Sequence, residues 1–384
     1  MASLAPGFVR RDGERIVDGS GAPALRRGVG IGNWLLPEGY MWHLGSAHGS
    51  PREIEALIGE LVGGERAAEF WARFRRDFFN ADDVAALAVS GFDHIRLPIN
   101  ARVVMDDDGR FLAAGFALVD ACLDWCEAHG IRVILDLHGA PGGQTGTNID
   151  DSPRKLPELF LAERYQELTE RLWVEIARRY AGREIVGALD LLNEPLPNHW
   201  QWEFGEALAA TYRRLTSAIR RVDRDHLIMY EGSHWANNWS IFTEVWDDNS
   251  ALQFHKYWSP PTRESIAEYL GKRAELGLPI YVGESGENTP EWVEEAFALF
   301  ESEGIGWNFW PWKKIDTITS PRSIVPPPGW DAITAFSRGE GPRPSGDVAW
   351  ATLEALLANM RADACEQVFP VEAALFGERS PAAR

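Results

Sequence analysis

The chain has 384 residues, of which 45% are hydrophobic and 25% charged, and its formal net charge is −19. This acidic balance argues against nucleic acid and anionic membrane surfaces as partners, because both attract basic patches. The start of the chain lacks an apolar signal core, no apolar run reaches about 18 residues, and the three cysteines form no disulfide or metal pattern. We therefore expect a cytoplasmic protein whose cysteines stay reduced and which needs no metal or cofactor.

Short apolar runs rich in β-branched residues alternate with helical segments along most of the chain. Near-continuous apolarity is typical of strands buried on both faces of a parallel sheet. The eight runs lie at 27–31, 94–98, 132–137, 187–192, 226–230, 251–255, 279–282 and 306–310. Predicted helices fill most gaps, at 81–90, 115–129, 162–180, 204–222, 263–276 and 291–303.

Strand followed by helix, repeated around the chain, predicts an α/β fold of the (β/α)₈ TIM-barrel type. A doubly wound open sheet is the weaker alternative, because no glycine-rich phosphate loop follows the first strand. The absence of a linker rich in proline, glycine or serine predicts one domain over residues 1–384.

Two regions of the chain are additional to the eight strand and helix units of a minimal barrel. An insertion of about residues 35–79 follows the first strand. It is predicted to hold one capped helix ending near Leu61 and a second helix over 65–79. A C-terminal extension of about residues 342–384 is predicted to contain a helix over 347–360 and a frayed tail after Gly377.

The chain contains 17 tryptophans, and several fall in predicted loops. Tryptophan can fill a core, but its flat apolar face also stacks on sugar rings while its N–H binds a hydroxyl. We expect sugar contact rather than core filling for the loop copies. These are Trp34, Trp42, Trp200, Trp202, Trp235, Trp239 and Trp258.

Two glutamates follow apolar strand runs. Glu194 comes after Leu191-Leu192-Asn193, and Glu284 comes after Tyr281-Val282-Gly283. The carboxyl ends of barrel strands form one mouth, so both side chains should enter the same pocket. Two carboxyl groups that flank a bond can divide the roles of acid and nucleophile, as retaining glycoside hydrolysis requires, with a separation of about 5–5.5 Å.

The polar residues at the predicted strand ends form a recognisable set. In chain order they are Arg96, His138, Asn193, Glu194, His255, Tyr257, Glu284 and Trp310. In these residue types and this order, the chain resembles glycoside hydrolase family 5, a family of retaining β-glycosidases on (β/α)₈ barrels. The resemblance covers about residues 27–313, and Asn193-Glu194-Pro195 with the later Glu284 is its most specific part.

The resemblance implies that Glu194 is the general acid and base and that Glu284 is the nucleophile, acting on a β-glycoside or oligosaccharide. Arg96 and Tyr257 would each donate a hydrogen bond to Glu284. Glu287 competes for the nucleophile role, but it follows a glycine outside the strand run, and we interpret it as a solvated loop residue.

The remaining members of the set have implied roles in binding and orientation. Asn193 would bind the sugar 2-hydroxyl, and His255 would orient the acid and base. His138 and Trp310 would line the pocket for the glycone, the sugar that the enzyme transfers. The resemblance also implies a cis peptide bond after the strand-eight tryptophan, at Trp310–Pro311, an isomer that proline makes accessible.

Two further segments resemble the exo-acting β-1,3-glucanase branch of this family. They are Leu135-Asp136-Leu137-His138-Gly139-Ala140-Pro141-Gly142-Gly143-Gln144 and Gly32-Asn33-Trp34-Leu35-Leu36-Pro37-Glu38. In that branch a glutamate at the position of Glu38 contacts the glycone. We expect the insertion to carry Trp42, and Trp71 as a second candidate, over the barrel mouth. Exo action on small β-glucosides or β-linked oligosaccharides is the resulting hypothesis.

Other functions stay open at this point. An endo-β-glucanase, a β-mannosidase or a disaccharide-releasing glycosidase would carry the same catalytic residues. A catalytically inactive carbohydrate-binding barrel is disfavoured because both carboxylates and their orienting partners are intact.

Overall fold

The computed structural model describes residues 7–377, so the predicted tail after Gly377 lies outside the described residues. The described part begins with a short antiparallel hairpin of β1, Arg10–Asp12, and β2, Arg15–Val17. Ile16 of this hairpin packs in one apolar cluster with barrel residues such as Leu227. The hairpin, which the sequence pattern did not predict, therefore helps to cover the barrel interior.

Eight parallel strands form a closed barrel, in which each strand pairs with the next and the last pairs with the first. Almost every residue in them is buried, because helices cover the outer face of the barrel. All eight predicted runs are confirmed, and so is the (β/α)₈ fold. The strands are β3 Arg27–Gly30, β4 His94–Asn100, β5 Arg132–Gly139, β6 Val186–Asp190, β7 Leu227–Glu231, β8 Ser250–Lys256, β9 Ile280–Gly286 and β10 Gly306–Trp310.

Twelve helices occupy the described residues. They are α1 Pro51–Val62, α2 Gly64–Asp77, α3 Ala81–Ser90, α4 Ala101–Val104, α5 Ala113–His129, α6 Glu163–Tyr180, α7 Gly205–Arg220, α8 Ala267–Leu276, α9 Pro290–Ser302, α10 Trp330–Ser337, α11 Gly346–Asn359 and α12 Phe369–Phe376. Side chains cap several of them: Asn80 accepts a hydrogen bond from the backbone of Asp82 at 2.8 Å at the start of α3. No helix among these residues is long and apolar enough to cross a membrane.

The two helices of the insertion pack against the C-terminal extension rather than over the barrel mouth. Helices α1 and α2 contact α11 of the C-terminal extension. Trp42 is 1% exposed and lies among the rings of Phe74 and Trp330, at centroid distances of 5.4 and 6.2 Å. The prediction that Trp42 and Trp71 rise over the mouth is wrong. Trp71 belongs to the apolar face of α2, and Trp42 packs on that face, which would otherwise be left in water.

A small sheet follows the last barrel strand. It consists of β11 Lys313–Ile315, β12 Arg322–Ile324 and β13 Glu366–Gln367. Strand β11 begins directly after the Trp310-Pro311-Trp312 segment and pairs parallel to β12. This sheet connects the C-terminal extension to the rim of the barrel and fixes the position of Lys314.

Candidate active site

Glu284 lies near the carboxyl end of β9, inside the mouth of the barrel. Its Oε1 accepts a hydrogen bond from Arg96 Nη1 at 2.6 Å, and its Oε2 accepts one from the Tyr257 hydroxyl at 3.0 Å. Burial raises the pKa of this carboxyl, and the positive charges of His255 and Arg96 oppose that rise. A separate donor on each oxygen fixes the orientation of the Glu284 side chain.

Glu194 reaches the same mouth from a loop, because β6 ends at Asp190. Its backbone is left-handed, with φ of 45°, and its N–H donates to Glu231 Oε2 at 2.6 Å. This hydrogen bond holds a conformation that a residue with a side chain seldom adopts. The Oε1 atom of Glu194 lies 2.7 Å from His255 Nδ1. Glu194 and Glu284 both line one cavity at the mouth of the barrel.

The two glutamates approach each other across a cavity of about 680 Å³. One oxygen of each glutamate and a ring nitrogen of His255 all lie within 4.8 Å of one another. Cavities of about 300–1,000 Å³ are typical of sites for small molecules. The short approach agrees with the predicted close pair and is incompatible with carboxyl groups about 8 Å apart.

Arg96, in β4, sits beneath the cavity and contacts four carboxylates. Its Nε donates to Asp190 at 2.8 Å, and its Nη1 contacts Glu284. Its Nη2 lies 3.1 Å from both Asp136 and Glu231. Arg96 together with His255, which contacts Glu231 and Glu284, cannot balance four buried negative charges, so the cluster retains protons.

The protonation of this cluster follows from burial. Burial raises the pKa of Asp136 to about 7 and that of Glu231 to about 8, although Arg96 and His255 oppose both shifts. Burial also disfavours a charged His255. The carboxylates of Glu231 and Glu284 outweigh that cost and raise the pKa of His255 well above its ordinary value.

Sequence reasoning missed three members of this cluster: Asp136, Asp190 and Glu231. Glu231 is the last residue of β7, so it carries the same strand-end signal that identified Glu284. Asp136 and Asp190 lie inside apolar runs, where an isolated carboxylate indicates a charged partner in the barrel interior.

His138 and Trp310 both line the cavity, and their rings stack with centroids 5.5 Å apart. Burial lowers the pKa of His138 to about 3, so its ring stays neutral near pH 7. The Trp310–Pro311 bond is cis, which confirms that prediction.

Asn193 is not part of the cavity lining. Its Oδ1 accepts a hydrogen bond from Arg96 at 2.8 Å, and its Nδ2 lies 3.2 Å from His138 Nε2. Both ends of the amide are thus occupied by protein groups. The predicted contact between Asn193 and a sugar 2-hydroxyl stays a prediction.

The loop after β3 contributes Glu38 and Tyr40 to the cavity wall. Glu38 is 2% exposed, and burial, together with the charges of Glu284 and Glu194, raises its pKa well above that of an ordinary glutamate. The Tyr40 hydroxyl accepts a hydrogen bond from Trp310 Nε1 at 2.8 Å. The segment that the resemblance singled out therefore does reach the cavity.

Glu287 is not a solvated loop residue, and that interpretation was wrong. Its side chain is only 14% exposed, forms an ion pair with Lys314, and lines the same cavity as Glu284. At the end of β9 the backbone turns through two residues with positive φ, Gly286 at 135° and Glu287 at 50°. A strand pattern cannot predict such a turn, which brings the side chain back over the mouth.

Comparison with known proteins agrees with this geometry. The family model described as Cellulase (glycosyl hydrolase family 5) matches residues 62–316, which is more than half of the chain. The chain belongs to glycoside hydrolase family 5. It is therefore a glycoside hydrolase by family, and the barrel with a pair of glutamates at its mouth is consistent with that membership.

Relatives in sequence span several activities. A β-xylosidase of Phanerodontia chrysosporium is 27% identical over 80% of this chain and 71% of its own length. A probable glucan 1,3-β-glucosidase A of Emericella nidulans is 26% identical over 84% of this chain and 91% of its own length. Endoglucanase C of Acetivibrio thermocellus is 24% identical over 62% of this chain and 85% of its own length.

Solved structures share the fold at lower identity. An endogalactoceramidase superposes with a TM-score of 0.62 over 91% of this chain and 84% of its own, at 18% identity. A rutinosidase from Aspergillus niger superposes with a TM-score of 0.58 over 76% of this chain and 91% of its own, at 17% identity.

The seven loop tryptophans of this family 5 hydrolase differ in their surroundings. Trp34, Trp42 and Trp239 are at most 1% exposed, so the expectation of sugar contact is wrong for them, and they fill the core. Trp235 and Trp258 line the cavity, and Trp258 is 72% exposed. Of the other two, Trp202 is exposed outside the cavity lining, and Trp200 is half-buried against the core.

The retained protons predict how stability depends on pH. A carboxyl group whose pKa is higher in the folded state contributes stability below its unfolded pKa and loses it as pH rises through the folded pKa. With the pKa of Glu231 at about 8, against 4.5 for an ordinary glutamate, the free energy of unfolding should fall as the pH rises from about 4.5 to about 8. Urea unfolding of Glu231→Gln should show a shallower fall, by up to about 1.4 kcal/mol for each pH unit that the proton spans.

The matched control for this experiment is Glu340→Gln, because Glu340 is a surface residue paired with Arg338. It should keep the pH dependence of the wild-type protein. Equal pH dependence in wild type and Glu231→Gln would contradict the proton assignment.

Proposed function

We propose that the protein is a retaining β-glycosidase, with Glu284 as the nucleophile and Glu194 as the general acid and base. The observation that carries the proposal is the close pair of carboxyl oxygens within 4.8 Å at the mouth of the barrel. Retaining enzymes have carboxyl groups about 5–5.5 Å apart, whereas inverting enzymes leave about 6.5–9.5 Å for a water molecule.

The unequal surroundings of the two glutamates support the division of roles. Glu284 accepts hydrogen bonds on both oxygens, from Arg96 and Tyr257. A nucleophile benefits from donors that stabilise its ionised form and fix its direction of attack. Glu194 has only its Oε1 engaged, by His255, and its Oε2 has no hydrogen-bond partner among residues 7–377. That oxygen can protonate the leaving group and later accept a proton from water.

We also propose that the enzyme is exo-acting on small β-glucosides or β-linked oligosaccharides. One side of the cavity is walled by Glu38, Tyr40 and Lys314, which come from the loop after β3 and from β11. We expect a wall at this position to stop further sugar units beyond the glycone. The similarity to a β-xylosidase and to a probable glucan 1,3-β-glucosidase supports the same direction.

A panel of nitrophenyl β-glycosides followed by product analysis tests the proposal. We expect release of nitrophenol from at least one member, with the β-anomer as the first sugar product in early-time NMR. On a long β-glucan, one small sugar should accumulate steadily while the viscosity stays nearly constant. An initial α-anomer would contradict retention, and a rapid viscosity drop with mixed oligomers would indicate an endo-glucanase instead.

A further inference from the structure

The cavity contains an ion pair that the catalytic mechanism does not use. Lys314 Nζ pairs with Glu287, and each side chain is 14% exposed. Both residues line the cavity together with the proposed nucleophile, Glu284. Burying an ion pair removes hydration from both charges. Stabilisation of the fold is therefore a weak explanation for why the pair is there.

The backbone that presents Glu287 is built for this position. Glu287 has φ of 50°, a conformation that persists for a non-glycine residue where the surrounding structure imposes it, commonly at functional sites. The preceding Gly286 cannot carry a side chain, because a Cβ atom would lie 2.8 Å from the Trp310 carbonyl oxygen. Trp258 Nε1 donates to the Glu287 carbonyl at 3.4 Å from the other side.

Lys314 is positioned next to Tyr40, which contacts Trp310, the ring predicted to line the glycone pocket. Its Nζ lies 5.7 Å from the centroid of the Tyr40 ring, whose hydroxyl accepts the hydrogen bond from Trp310. The carboxyl of Glu38, in the same wall, has no hydrogen-bond partner among residues 7–377 although it is 2% exposed. Its oxygens face the cavity and are available for hydrogen bonds with a ligand there.

We propose that Lys314 and Glu287, acting with Glu38, bind hydroxyl groups of the glycone and determine which sugar is accepted. A hydroxyl both donates and accepts hydrogen bonds, so it can satisfy the ammonium and a carboxylate together. In this wall the ammonium of Lys314 is already paired with Glu287, so it leaves no net positive charge to attract an anionic sugar. The wall therefore accepts a neutral sugar and rejects uronic acids and phosphorylated sugars. This inference rests on the proposed glycosidase function.

The proposed contact between Lys314 and a sugar hydroxyl is tested by combining a change in the enzyme with a change in the substrate. The wild type and Lys314→Met are assayed on the best nitrophenyl β-glycoside of the panel and on its analogues lacking the hydroxyl at carbon 3, 4 or 6. For the intact substrate, Lys314→Met should lower kcat/KM by about 10- to 100-fold, the loss expected for a hydrogen bond to a charged group. For the analogue that lacks the contacted hydroxyl, the two enzymes should agree within about threefold.

Two further variants complete the test. Glu287→Gln should show the same coupling to a sugar hydroxyl, and it carries the test if Lys314→Met does not fold. The control Lys272→Met removes a lysine of similar burial, 19% exposed, which pairs with Glu275 at 2.7 Å outside the cavity, and it should leave every ratio unchanged.

Three outcomes separate the possibilities. Equal losses on all four substrates in both variants would overturn the proposal, because a purely structural role weakens catalysis without regard to any hydroxyl. Wild-type hydrolysis of the corresponding β-glucuronide at a comparable rate would overturn the preference for neutral sugars. Inactivity of the wild type on the whole glycoside panel would instead contradict the proposed glycosidase function.

Discussion

Glu284→Gly is expected to lose activity on an aryl β-glycoside by a factor of about 10⁴ to 10⁶, the scale seen when a covalent nucleophile is removed. The reason is that Arg96 and Tyr257 hold this carboxylate, and no other group occupies its position. Added azide should restore cleavage of an activated glycoside, because a small anion fits the vacated space. The product should be the α-glycosyl azide, since only one displacement then occurs.

The contrasting variant is Glu287→Gly, which removes the other carboxylate near the end of β9. Its kcat/KM should fall because of weaker binding, but azide should not restore activity and no α-glycosyl azide should form. Detection of the azide product by NMR distinguishes the two variants. If Glu287→Gly is rescued and Glu284→Gly stays active, the assignment of the nucleophile is wrong.

The barrel could be predicted because its signal is strong and local. Each strand, such as β5 at Arg132–Gly139, is buried on both faces and so reads as an apolar run of the right length. In the same way, the apolar run of β9 predicts that Glu284 lies at a strand end. Glu194 was identified equally well, although β6 ends four residues earlier, because the family pattern spans the intervening loop.

Other parts of the site depend on contacts between distant segments, which a single sequence does not display. Lys314 enters the cavity wall because β11 pairs with β12, and neither short strand has a pattern of its own. Trp42 had an apolar partner surface that only folding creates, on α2 and α10. In contrast, Glu231 could have been predicted from the sequence, because it is the last residue of β7.

Glu194→Ala is expected to have an effect that depends on the leaving group. A dinitrophenolate leaves without a proton, so the first displacement on a dinitrophenyl glycoside should stay close to the wild-type rate. A methyl or sugar aglycone needs protonation, and kcat/KM for such substrates should fall by about 10²- to 10⁴-fold, the usual contribution of a general acid. Pre-steady-state and steady-state assays on both substrate types measure this difference.

The second displacement provides an independent check on the same variant. Without the Glu194 carboxylate, water loses its general base, so the glycosyl intermediate on Glu284 should accumulate and produce a burst of dinitrophenol. Azide needs no base and should react with that intermediate to give the β-glycosyl azide, the opposite anomer from the one expected for Glu284→Gly. A uniform loss across all leaving groups, with no burst, would mean that Glu194 binds substrate rather than transfers a proton.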